Sequence, residues 1–240
     1  MPSSKAFVGI PIPYESFEVR IPTVGDTLES DFWIYLQALT LSQEDLDEEL
    51  KDVLLDGSTY TPFQYLMIRS MSDGVFKDYV ERAFRFFLGQ DIFFNFERMH
   101  IFIGSPSLTL VSQKDARLNI INEENFLEFQ NVINEACGKE IYVPIDPTWH
   151  PRRQDMERKK RLRDRIKARQ NAKKSSYHSL IVSLCTMGIG VTPMNVKELS
   201  YAALQELVDR YRMRQNYELE IRIATNPFNT KPKQASDWME

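Results

Sequence analysis

The segment from Arg152 to Lys174, RRQDMERKKRLRDRIKARQNAKK, carries twelve Lys or Arg against three acids. Its only large apolar residues are Met156, Leu162 and Ile166. A stretch with so little to bury cannot lie inside a core, so the fold must leave it on the surface. As one helix it would extend about 35 Å. Asp155–Lys159 and Glu157–Arg161 stand at the i,i+4 spacing that supports an exposed helix. The net charge of −4 hides this segregation. Outside the segment 18 basic residues face 31 acidic ones, and residues 1–60 hold twelve acids against Lys5, Arg20 and Lys51.

The other 217 residues must supply the core. With 42% apolar and 27% charged residues the chain reads as an ordinary globular protein, large enough to fold without disulfide or metal staples. No apolar run approaches the roughly 18 residues of a membrane span. MPSSKAFVGIPIPYE, with one Lys and an apolar stretch broken by prolines, does not read as a signal peptide. Cys137 and Cys185 make no metal or redox spacing and point to a reducing cytosol, with one disulfide between them left open.

Pro11, Pro13 and Pro22 predict an extended first 25 residues, with Phe17, Val19 and Ile21 alternating against Glu18 and Arg20. Helices follow. Ser30 precedes one that turns Phe32, Trp33, Leu36 and Leu39 to a common face. Ser42 with Asp45 opens a second, whose stripe is Leu46, Leu50, Val53 and Leu54 and whose stop is Gly57. Thr61-Pro62-Phe63-Gln64 combines cap, first-turn proline and capping-box glutamine. Asp73 caps a helix with Phe76, Tyr79, Val80, Ala83, Phe84, Phe87 and Leu88 on one side. After Gly89, short β-branched and aromatic runs predict a small antiparallel sheet over about 92–121, including Leu118, Ile120 and Ile121. Asn122 caps a helix that buries Phe126, Phe129, Ile133 and Ala136 and stops at Gly138.

Pro144, Pro147 and Pro151 mark a boundary. The expected organisation is an α+β protein, predominantly helical: an N-terminal domain over 1–143 with the small antiparallel sheet, a proline-rich linker over 144–151, and the basic helix plus a helical C-terminal module over 152–240. In that module SLIVSLCTMG is a short helix, and Ser200 caps a long one from Tyr201 to about Ala224.

Catalytic chemistry finds no footing in the pattern. His100, His150 and His178 are far apart and lack ligands at tight spacing, so no metal is expected. There is no G-x-S-x-G elbow, and Ser70 and Ser72 read as loop residues. Gly188-Ile189-Gly190 lacks the third glycine and the Lys-Ser/Thr of a phosphate cradle. The acids between Glu44 and Glu49 suit the first turns of an exposed helix. The chain therefore reads as a non-enzyme without cofactor.

The basic helix is left as the site, with Arg158, Lys159, Lys160, Arg161, Arg163, Arg165, Lys167 and Arg169 as its candidate contacts. Phosphate binding is disfavoured because the rest of the chain is acidic and no zipper or base-reading core follows. An acidic protein surface fits better, including that of a second copy of this chain. A solvated strut between domains is the plainer alternative.

The C-terminal portion is similar to a known pattern. A Lys/Arg-rich helix, a short apolar helix ending in glycine, and then VKELSYAALQELVDRYRMRQNYELEIR with a terminal Asp-Trp resemble tail assembly chaperone-like proteins of tailed phages. The matching positions are Leu199, Ser200, Tyr201, Leu204, Arg210, Tyr217, Glu218 and Trp238, and NEENFLEFQ over 122–130 is compatible. The resemblance covers the last 90 residues or so well and the first 150 loosely. It implies a non-enzymatic protein that binds the tape-measure protein or a baseplate component in the host cytoplasm, with Tyr201, Leu204, Arg210 and Tyr217 as its C-terminal helix motif. The alternatives are a structural component of the tail or baseplate, located in the virion, and a nucleic-acid-binding protein using the basic helix.

Overall fold

The structure, a computed structural model, describes residues 4–29, 31–50, 60–104, 119–146, 148–174, 177–187 and 190–225. The side chains of 29, 48, 49, 165–174, 177 and 178 lie outside the description. The chain begins with a short helix, α1 (Ser4–Val8), and a hairpin of β1 (Ile12–Tyr14) and β2 (Phe17–Val19), with Ile12 opposite Val19. Helices α2 (Val24–Glu29), α3 (Phe32–Leu39) and α4 (Gln43–Leu50) follow. The extended reading of the first 25 residues is thus corrected at both ends. Pro11 disfavours helix at its own position and at the residue just before it, and α1 ends three residues ahead of it, with Ala6 fully buried.

The side chains that cap helices set most of the remaining boundaries. Thr61 and Gln64 exchange both capping-box bonds at the start of α5 (Pro62–Ser72). Asp73 accepts the N–H groups of Val75 and Phe76 at 2.9 and 3.1 Å, opening α6 (Gly74–Leu88). Gly89, at φ +67°, closes it. Ser70 and Ser72 therefore belong to the last turn of α5 and not to a loop. Strands β3 (Ile92–Asn95), β4 (His100–Ile103) and β5 (Ile120–Ile121) form the antiparallel sheet in that order. Leu118 and residues 105–117 lie outside the described residues. Asn122 and Asn125 cap one another before α7 (Phe126–Ala136), each side-chain oxygen accepting the other's backbone N–H.

Pro151 opens the basic helix α8 (Pro151–Lys174) as its first residue. Then come α9 (Tyr177–Thr186), a 3-10 turn over Val196–Glu198, and α10 (Tyr201–Ala224), whose Ser200 accepts the Ala203 N–H at 3.1 Å. Fold class is as expected: α+β and mainly helical.

Aromatic packing fills the core. Phe84 of α6 and Phe129 of α7 are fully buried and stack face to face with centroids 5.1 Å apart. Phe32, Leu36 and Leu39 point inward from α3, but Trp33 is 46% exposed and Tyr35 takes the inner place. A face wide enough for all the apolar residues exceeds what α6 can cover. Leu46 is buried on α4, while Val53, Leu54 and Gly57 lie outside the described residues.

The core also runs across the expected 144–151 boundary. Leu184, Val196, Tyr201, Ala202, Leu204 and Val208 join the same cluster as Phe32 and Phe87. The backbone is stitched there as well: Val24 N–H donates to Leu199 C=O and Tyr201 N–H to Pro22 C=O, both at 2.8 Å. Gly138 packs against the first turn of α10. Its φ is +66°, and a Cβ there would stand 2.9 Å from Ala202 Cα.

Two core groups carry predictions. The Tyr14 hydroxyl is buried without a hydrogen-bond partner. Burial, and then the charges of Glu128 and Glu15, hold its phenol above the ordinary value. The neutral form is favoured in the fold, so stability is level below about pH 10 and falls above it as the unfolded chain ionises first. Tyr14→Phe should raise stability by about 1 kcal/mol and flatten that alkaline loss, as read by urea unfolding on both sides of the phenol range.

Cys137 is fully buried, and both thiols are free. Burial pushes the Cys137 thiol up to about 12. A thiol reagent at pH 8 should therefore label the half-buried Cys185 in the native protein and Cys137 only after unfolding.

Candidate protein-binding surface on the basic helix

Helical spacing divides the cations of α8 into separate faces. Gln154, Glu157 and Arg161, at i, i+3 and i+7, are half-buried and look inward. Arg152, Met156, Lys159 and Arg163, at i, i+4, i+7 and i+11, are exposed and look outward, with Met156 61% exposed.

Arg161 is the attachment point. Its Nη1 donates to Glu44 Oε1 at 3.2 Å and to the Val143 carbonyl at 2.8 Å. Its Nε donates to Glu157 Oε1 at 3.3 Å, and the guanidinium lies 5.8 Å from the Tyr142 ring centroid. The Arg161 side chain is 25% exposed and that of Glu44 only 9%. A guanidinium fork suits three acceptors at once in a way an ammonium does not. Arg161 is therefore a clamp within the chain. The complementarity between the acidic N-terminal helix and the basic helix, expected to serve a partner or a second copy, is used at this point internally. Nearby, Arg153 stacks 3.8 Å over Trp149.

The other candidates fall in three places. Lys159 faces outward and pairs with Asp155 at 2.7 Å, both side chains more than half exposed, so the pair adds little stability. Arg158 borders one groove beside α4, and Lys160 borders another, together with Arg161 and Asp164. Among the described residues Arg152, Arg158, Lys160 and Arg163 make no ion pair. The side chains of Arg165, Lys167 and Arg169 lie outside the description.

The C-terminal helix motif is mostly structural. Tyr201 packs its ring against Phe32 at 5.5 Å and Trp33 at 5.6 Å, and its hydroxyl accepts from Gln205 at 2.7 Å. Leu204 is fully buried. Arg210 pairs with Glu206 at 2.8 Å, and Tyr217 is half-buried on the distal half of the helix. Trp238 lies outside the described residues.

Sequence reasoning missed Glu44, Tyr142 and Val143 as the seat of the clamp. The available signal was an aromatic, Tyr142, standing just before the prolines and a cationic helix. Phe84 and Phe87 are fully buried and offer no apolar surface to a partner, and Phe86 is half-buried beneath the Arg20 guanidinium.

Among the described residues no cluster of His, Cys, Asp or Glu is placed to hold a metal ion. Nor is any helix among them long and apolar enough to cross a membrane. Compared with known protein families, curated proteins and solved structures, the chain matches none.

Proposed function

We propose that this chain is a non-enzymatic tail assembly protein of a tailed phage. In this reading it acts in the host cytoplasm and holds a tail component such as the tape-measure protein until assembly. The observation that carries the binding role is the outward face of α8. Arg152, Lys159 and Arg163 stand around an exposed Met156, on a helix whose inward face is already tied down by Arg161. A row of cations beside an apolar side chain suits a segment carrying carboxylates next to an apolar anchor. The phage assignment rests on the resemblance of the C-terminal portion.

Co-expression with the tape-measure protein tests the reading. The wild-type chain should keep that client soluble and co-purify with it. An Arg152→Glu/Lys159→Glu/Arg163→Glu variant should lose it, with binding weakened at least tenfold. Equal capture by the variant would sink the role given to this face. Fixed copy number in purified virions would move the assignment to a structural tail or baseplate component. Salt-dependent retention on duplex DNA, lost in the same variant, would move it to nucleic acid.

A further inference from the structure

A groove of about 270 Å³ lies where α4, the start of α5, the start of α7 and the irregular 142–145 segment converge beside α8. Phe63, Phe126, Leu127, Pro144 and Ile145 give it apolar walls. Four charged side chains border it: Glu44, Asp47, Glu123 and Arg158. Glu44 is matched by Arg161. Asp47 and Glu123 are not matched by any cation among the described residues. Asp47 accepts from the Gln43 amide at 2.8 Å, and Glu123 accepts from the Gln64 amide at 3.1 Å. The amide donors bring no positive charge to either side chain, one on α4 and the other just ahead of α7. Among the described residues Arg158 is the one cation on the border of this groove, and it pairs with neither.

We propose that this groove binds a partner-protein segment in which an apolar residue is flanked by lysine or arginine. The apolar side chain lies against Leu127, Pro144 and Ile145, over the floor made by the packed Phe63 and Phe126 rings, and the flanking cations meet Asp47 and Glu123. An anionic segment would be repelled from those two positions, so the groove and the outward face of α8 select opposite charges. The inference goes beyond the assembly reading and does not depend on which client α8 holds.

The probe is a capped peptide, acetyl-Lys-Ala-Leu-Leu-Ala-Lys-amide, titrated into the full chain by calorimetry, with the Glu-for-Lys peptide as control. Saturable binding of the Lys peptide at submillimolar concentration is expected. Its affinity should fall at least tenfold in Asp47→Lys/Glu123→Lys, and the Glu peptide should then bind more tightly than the Lys peptide. Both substituted residues are exposed, so folding is preserved, as circular dichroism will verify. No saturation up to 5 mM (roughly the 3 kcal/mol level of affinity), or equal affinity in the variant, overturns the proposal. Binding that emerges only when residues 51–59 are replaced by a Gly-Ser linker would assign the groove to the chain's own segment. Concentration-dependent dimerisation abolished by the same double substitution would assign it to a second copy. None of these outcomes involves the outward cations, so failure here leaves the α8 reading standing.

Discussion

Gly138→Ala should destabilise the protein by about 3 kcal/mol, while Gly89→Ala should cost only about 1 kcal/mol. Both glycines end a helix in the left-handed region, at φ +66° and +67°. The backbone penalty for a Cβ is therefore common to the two. They differ in what the new atom meets. At Gly89 nothing lies within 4 Å. At Gly138 the Cβ would stand 2.9 Å from Ala202 Cα and 3.0 Å from Ala202 Cβ, on the first turn of α10. A helix backbone cannot swing aside like a long side chain, so α7 and α10 must separate and the buried surface between them must open. Urea unfolding of both variants, with the m-value unchanged, is the measurement. Equal losses would mean that α7 and α10 are not in the tight contact described.

Arg161→Ala should cost about 2 kcal/mol and release α8 from the body of the protein. The loss removes the cation from Glu44, whose side chain is only 9% exposed, and the donor from the Val143 carbonyl. Partial exposure of Arg161 keeps the figure below that for a fully buried pair. Arg161→Lys should recover less than half, because one ammonium cannot reach Glu44, Glu157 and Val143 in a fork. Amide exchange separates this from a general loss of stability. Exchange should quicken along α8 and the 140–146 arm while α6 and α7 stay protected. Uniform acceleration across all helices would contradict the clamp.

Local chemistry makes much of this fold readable in the sequence. Thr61 with Gln64, Asp73, Gly89 and Ser200 each fix a helix end through groups within four residues, and a cap needs nothing from the rest of the chain. The length of α8 was legible for a similar reason, since nothing in its charge pattern competes with an exposed helix. What could not be read depends on distant partners. The inward turn of Arg161 is decided by Glu44, 117 residues away. Trp33 and Tyr35 exchange the places their spacing suggests because α6 packs along the side of α3 that Tyr35 shares, whereas Trp33 lies beside Tyr201 of α10 and stays half-exposed. The joining of α10 to the N-terminal core hangs on backbone bonds such as Val24 to Leu199, for which sequence carries no local mark. On α8, residue type announced a cationic surface. Only the rotation of the helix about its axis tells Arg152 and Arg163, which face solvent, from Arg161, which does not.

The stitching of residues 7–24 to 199–208 has a consequence for biosynthesis. The Phe7 carbonyl accepts from the Ser200 hydroxyl at 2.9 Å, and Ala6 lies in the same buried cluster as Ala202 and Leu204. A nascent chain leaving the ribosome must wait for some 200 residues of translation before its first segment meets its mate. Until then the sides of Phe32 and α1 that α10 covers stay open, a sticky interval in which holdase chaperones or slowed elongation would govern yield.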